Sequence, residues 1–168
     1  NGGFIVAGTT DRSDRPLSEQ SGTNLMLVRL NSDGSTTEPR IIGGTVNETA
    51  SDFEVLDDGY LIAGVTGSTS TTYRGHMWKI PVNIYGPAEY SHEVVIEPAL
   101  ADKTPFYIKA MCRYKTNSFL LAGQYNTGLS ARMLIFSTDV YGTADVSRIK
   151  KSGGTGSQIA NDVISGYS

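Results

Sequence analysis

The sequence predicts an all-β fold: a β-propeller of four-stranded antiparallel blades, with about three blades in these residues. Three observations predict it. Nineteen Gly among 168 residues, with many Thr, Ser, Tyr and Val and a single Trp, is the composition of short strands broken by tight turns. The apolar phrase Gly3-Phe4-Ile5-Val6-Ala7-Gly8 returns as Gly59-Tyr60-Leu61-Ile62-Ala63-Gly64 and as Ser118-Phe119-Leu120-Leu121-Ala122-Gly123, at spacings of 56 and 59 residues. Periods of this kind indicate a repeat architecture. The phrase is also an unbroken apolar run, as expected of strands buried on both faces in stacked blades. A β-trefoil is the alternative, since it has three copies of four strands at about this length, but its strands line one core and alternate more clearly.

Each repeat divides into four strands. The first phrase is strand b. Strand c follows as Asn24-Leu25-Met26-Leu27-Val28-Arg29-Leu30, His76-Met77-Trp78-Lys79-Ile80 and Arg132-Met133-Leu134-Ile135-Phe136, each running on to a turn that ends in Gly34, Gly86 or Gly142. The variable stretch after that Gly is strand d. Strand a is Asp52–Leu56, Tyr107–Tyr114 or Asn161–Ser165, and the first two reach the next b strand through Asp57-Asp58-Gly59 and Thr116-Asn117-Ser118, short polar turns suited to hairpins. The count is twelve strands. Gly43-Gly44-Thr45 with Asp52 recurs 110 residues later as Gly153-Gly154-Thr155 with Asp162, while the middle copy lacks both features. The chain reads as one repeat domain over residues 1–168, or part of a larger propeller, with approximate repeats 1–56, 57–115 and 116–168. Three blades do not close a ring, since propellers have about four to eight. Further chain, a second copy or a partner is therefore expected to complete it.

Composition narrows the functions. Charged residues are 18% and the formal net charge is −3, so no broad basic field draws the chain to nucleic acid. No apolar run approaches the roughly 18 residues of a membrane-spanning helix. Cys112, the one cysteine, lies among apolar residues and reads as a buried structural thiol.

The residues suggest no catalytic set, metal site or cofactor. The two histidines, His76 and His92, have no second His or Cys at metal-ligand spacing. His76 reads as a strand-end hydrogen bonder, and His92 as a solvated side chain on an outer strand. A G-x-S-x-G nucleophile elbow is missing from the sequence. Gly153-Gly154-Thr155-Gly156-Ser157 lacks the Lys of a phosphate-binding loop, and its earlier counterpart marks it as a repeated turn. Asp52 and Asp162 open innermost strands, where a carboxylate is expected to accept backbone N–H groups of the preceding loop.

The loops carry the candidate site. Strands of a blade alternate in direction, so b–c and d–a connections share one face. The a–b and c–d turns are short, but the b–c connections at 9–23, 65–75 and 124–131 are long and differ from one another. Variable loops on a rigid scaffold are where binding concentrates. Arg12, Asp14, Arg15, Tyr73, Arg74, Tyr125 and Asn126 are the candidate contacts, offering stacking area and directed hydrogen bonds to a glycan or peptide.

The b phrase, the following strand with its turn to Gly, the Gly pair and the Asp of the next strand together resemble the repeat proteins found among secreted and surface lipoproteins of Bacteroidetes. The resemblance spans the chain as three imperfect repeats. It departs locally: Asn1 precedes Gly2-Gly3, Asp58 precedes a single Gly59, and the third copy has Asn117-Ser118. Neither the kelch order of Gly pair after strand b nor a Trp-Asp pair is present. The resemblance implies a propeller-like fold and an exported protein at the cell surface or outer membrane, often lipid-anchored, with an outer-membrane uptake or secretion complex as a plausible neighbour. It implies no catalytic residue. The expected function is a noncatalytic binding or scaffolding module that contacts a protein or glycan through the b–c loop face. The alternative is a glycan-active hydrolase or lyase drawing carboxylates from several blades.

Overall fold

The computed structural model describes residues 3–11, 22–43, 46–69, 72–84, 90–93, 104–126, 130–152, 156–164 and 166. The described residues form three antiparallel sheets. The first holds β1 (Gly3–Thr10), β2 (Asn24–Asn31) and β3 (Arg40–Ile42) in that order. The second holds β4 (Asn47–Leu56), β5 (Gly59–Gly67), β6 (Arg74–Pro81) and β7 (Tyr90–Glu93). In the third, β8 (Phe106–Lys115), β9 (Ser118–Asn126), β10 (Ala131–Asp139) and β11 (Lys150–Lys151) lie side by side.

Each sheet is a meander because every turn within it is local. Asp57-Asp58 and Thr116-Asn117 close the β4–β5 and β8–β9 hairpins, which pair from Leu56↔Gly59 and Lys115↔Ser118 outward. The turns after β2 and β10 repeat one geometry. Asn31 N donates to Ser35 O and Gly34 N to Asn31 O; Asp139 N donates to Thr143 O and Gly142 N to Asp139 O. Gly34 and Gly142 sit at φ 85° and 81°, a left-handed conformation that only Gly adopts without strain.

The sheets stack through two apolar cores. Leu61, Ala63 and Met77 of the second sheet meet Phe106, Ile108, Phe119, Leu121, Leu134 and Phe136 of the third. From the opposite face of that sheet, Ile62, Trp78 and Ile80 meet Leu25 and Leu27 of the first. The central sheet is therefore covered on both sides, which is why its strand reads Leu-Ile-Ala without alternation. Burying a side chain such as Leu61 or Ile62 stabilises the fold by roughly 1.5–3 kcal/mol.

A recurring seam joins neighbouring sheets. Glu48 N, at the start of β4, donates to Thr23 O just before β2, while Thr23 N donates to Asn47 Oδ1. The next sheet repeats the contact, with Phe106 N donating to Tyr73 O. At the third sheet, Gln158 N donates to Ala131 O and Ala131 N to Ser157 Oγ.

The expected strand over Asn161–Ser165 is corrected. Residues 157–164 are not a strand, although they sit against the third sheet where β8 sits against the second. No b strand lies beside them among the described residues, so the ladder has no partner. The Gly pairs largely lie outside the described residues.

Strands β4 and β8 carry a bulge at the same place, where pairing steps past Ser51 and Lys109. The bulge drives a carbonyl toward the b strand. A Cβ on Gly64 would lie 1.9 Å from Thr49 O, and one on Gly123 the same distance from Tyr107 O. Gly64→Ala and Gly123→Ala are each expected to lower unfolding free energy by about 1–3 kcal/mol. The exposed control Gly156→Ala, whose Cβ meets nothing within 4 Å, is expected to stay within about 0.5 kcal/mol. Urea unfolding followed by circular dichroism distinguishes these outcomes.

Candidate functional site

The b–c connections and the starts of the a strands emerge at the same end of the sheets, and the second and third sheets build a cluster there. Tyr73 closes the loop before β6, held by its carbonyl, which accepts from Phe106 N and from the Arg74 guanidinium at 2.8 Å. That anchoring brings the Tyr73 ring to 5.2 Å from Tyr107, with the planes tilted by 59°. The ladder between β8 and β9 places Tyr125 opposite Phe106, and Asn126 N donates to Pro105 O. The Asn126 side chain also hydrogen-bonds the Tyr107 phenol.

Around these rings lie cations. The Lys109 ammonium stands 6.0 Å from the Tyr107 ring centre, and Lys151 stands 6.0 Å from that of Tyr125. Burial, and secondarily the neighbouring Tyr73 phenol, push the Tyr107 phenol up, with Asn126 opposing the shift. Tyr107 is therefore neutral at physiological pH, able to donate as well as accept. Tyr73, Tyr107, Tyr125 and Asn126 are all half-buried. Packing fixes the rings while their outer edges stay open.

Of the sequence-level set the structure brings together Tyr73, Arg74 and Asn126 around Tyr107, while Tyr125, opposite Phe106, packs against the core between the second and third sheets. Arg12, Asp14 and Arg15 lie outside the described residues. Tyr107 and Lys109 were missed. Tyr107 opens strand a, whose start shares the loop face, so the d–a end of the repeat held a usable signal.

At the open edge of β8 the acidic side chains have a structural task. Asp52 accepts Phe53 N through Oδ1 and Met111 N, of the next sheet, through Oδ2, both at 2.8 Å. Glu54 Oε1 accepts Arg113 N at 2.9 Å, and the Arg113 guanidinium donates to Val55 O. The expected partner of Asp52, a preceding loop, is replaced by an amide 59 residues onward. β8 is an edge strand whose outward amides need acceptors, and leaving such a group unmet costs about 1–3 kcal/mol. Asp162 Oδ1 accepts Val163 N at 2.7 Å, reproducing the first half of the Asp52 arrangement.

Two further expectations change. Cys112 is half-buried instead of enclosed, because the bulge at Lys109 turns it toward Glu54, Asp52 and Asp162. His76 is the third residue of β6, its ring 4.5 Å from Trp78, and acts in packing as well as polar contact. His92 lies on the edge strand β7, as an outer position requires.

No family model and no curated protein matches this chain.

Burial pushes the Cys112 thiol up, and the nearby negative charges of Glu54, Asp52 and Asp162 add to the shift. Less thiolate therefore forms at a given pH than for an unperturbed cysteine. Iodoacetamide labelling is expected to rise at higher pH than that of a free cysteine in a peptide. Glu54→Gln, which keeps an acceptor for Arg113 N, should move the profile down. An identical profile for the peptide and the protein rules out this electrostatic account.

Proposed function

We propose that this chain is a noncatalytic carbohydrate-binding module, part of a β-propeller, that receives a glycan on the loop face centred on Tyr73, Tyr107 and Asn126. The observation that carries the reading is the tilted Tyr73–Tyr107 pair, 5.2 Å apart, with Asn126 bonded to one phenol and Lys109 at the margin. Aromatic faces supply apolar area to the C–H side of a sugar, while phenol and amide groups address its hydroxyls. Holding the rings in place before binding reduces the ordering cost on association.

Stacked antiparallel sheets, one of three strands and two of four, a central sheet covered on both faces, and a seam repeated from sheet to sheet support the propeller architecture. The noncatalytic reading is supported by Asp52 and Glu54, whose oxygens are engaged by backbone amides of β8. An exported cell-surface setting, with any lipid anchor outside these residues and an uptake or secretion complex as neighbour, rests on the repeat resemblance alone.

A glycan array followed by calorimetry tests the proposal. Replacing Tyr73 and Arg74 together by Ala is expected to weaken binding at least tenfold without changing the far-ultraviolet circular dichroism. Binding that persists in the double variant, or no glycan bound by the native chain, sinks the reading. Turnover of a bound glycan, lost on replacing one Asp or Glu, replaces it with the hydrolase or lyase.

A further inference from the structure

Among the described residues the first sheet lacks a fourth strand and the segment 157–164 lacks a ladder partner, and the two match. In the second and third sheets the b strand is paired on both sides, β5 by β4 and β6, β9 by β8 and β10. β1 occupies the b position, yet among the described residues it pairs through β2 alone. A groove of about 460 Å³ lies between the first sheet and the second, lined by Phe4, Ile5 and Arg29 on one side and by Phe53, Val55, Tyr60 and Val82 on the other. Phe4 and Val6 are 69% and 51% exposed, although Tyr60 and Ile62, their counterparts in β5, pack against the first sheet.

Gly8 sharpens the point. Its counterparts Gly64 and Gly123 are glycine because a bulged a strand thrusts a backbone carbonyl to 1.9 Å from where a Cβ would be. At Gly8 the nearest atom to such a Cβ is the Met26 terminal methyl, at 3.9 Å. Glycine inside a strand costs about 0.5–1 kcal/mol relative to alanine. Among the described residues nothing approaches Gly8 closely enough to repay that cost, whereas an a strand laid beside β1 requires it.

Residues 157–164 have the sequence and the seam contacts of an a strand without its ladder. They read Ser-Gln-Ile-Ala-Asn-Asp-Val-Ile against Asn47-Glu48-Thr49-Ala50-Ser51-Asp52-Phe53-Glu54. Their bonds to Ala131 repeat those of Asn47 and Glu48 to Thr23, and Asp162 holds Val163 N as Asp52 holds Phe53 N. Ile164 is 81% exposed. The segment is tied to the third sheet, and the second sheet stands between it and β1, so a single chain cannot join the two.

We propose that two copies of this chain associate head to tail, residues 159–164 of each pairing antiparallel with β1 of the other to complete its first sheet. The pairing of β4 with β5 fixes the register: Ala160 opposite Gly8, a bulge at Asn161, Asp162 opposite Ala7, Val163 opposite Val6 and Ile164 opposite Ile5. Ile164 then enters the groove beside Phe53 and Val55, and the Ile159 carbonyl approaches Gly8. The reciprocal contact closes a pair of six sheets, within the four to eight that such rings hold, and leaves no free edge at either junction.

Sedimentation equilibrium and oxidative cross-linking on the purified chain test this. The native protein is expected at twice 18.0 kDa at tens of micromolar. On a Cys112→Ser background, Val6→Cys and Val163→Cys in one chain should give a disulfide-linked dimer, while the shifted pair Val6→Cys with Ile159→Cys should not. Gly8→Ala should raise the dimer dissociation constant at least tenfold while leaving the unfolding midpoint of the dilute monomer unchanged. A monomer at 100 micromolar, a dimer that fails to cross-link in this register, or an intrachain disulfide overturns the proposal. Loss of the monomer's fold in Gly8→Ala also overturns it, because Gly8 would then have a role within one chain.

Discussion

The second sheet is apolar on both faces, and the rest of the structure depends on that. Leu61 and Ala63 point one way from β5 and Ile62 the other, each fully buried. Such a sheet exposes one hydrophobic face or the other unless a neighbour lies on each side. The flanking sheets are thus required by the composition of one strand. Their mutual angle and separation then follow from the residues that fill the two cores, Phe119 and Phe136 on one side, Leu25 and Leu27 on the other.

Stacking also decides where chemistry can collect. Adjacent sheets bring the starts of their a strands and the ends of their b–c loops together, so side chains distant in sequence become neighbours at one rim. Tyr73 and Tyr107 belong to different sheets and meet there; neither sheet alone makes the pair. At the open edge of β8 the same adjacency serves structure instead, with Asp52 and Glu54 spent on amides of the neighbouring strand. One end of the stack presents rings with open margins. On the inner edge, carboxylates are occupied by backbone.

Much of this was legible in the sequence, for identifiable reasons. The b and c strands, their hairpins and the Gly34 and Gly142 turns depend on local pattern and local backbone geometry, which the sequence displays directly. The loop face was legible because strand direction alternates within a meander. Tyr107 was not found, because its meeting with Tyr73 is set by packing between sheets. The partner of Asp52 was mistaken for the same reason: the acceptor serves an amide in the next repeat, beyond any local motif. Cys112 looked enclosed from its apolar neighbours, but the bulge at Lys109 changes which side it faces. Asn161–Ile164 has the pattern of a strand without the form of one, because ladder pairing needs a second strand that pattern alone does not supply.

The seam through the carbonyls of Thr23, Tyr73 and Ala131 bears on how the chain acquires its structure. Nearly all strand pairing is between consecutive segments, and each seam bond joins a sheet only to its neighbour. A molecule connected this way resembles a one-dimensional array, in which any hairpin can nucleate and order spreads outward by nearest-neighbour coupling. Local contacts of this kind also speed folding relative to β-proteins with long-range pairing. In the dissociated monomer amide exchange is then graded along the stack, slowest in β5 and faster toward β1 and the segment after β11, where a sheet has one described neighbour instead of two.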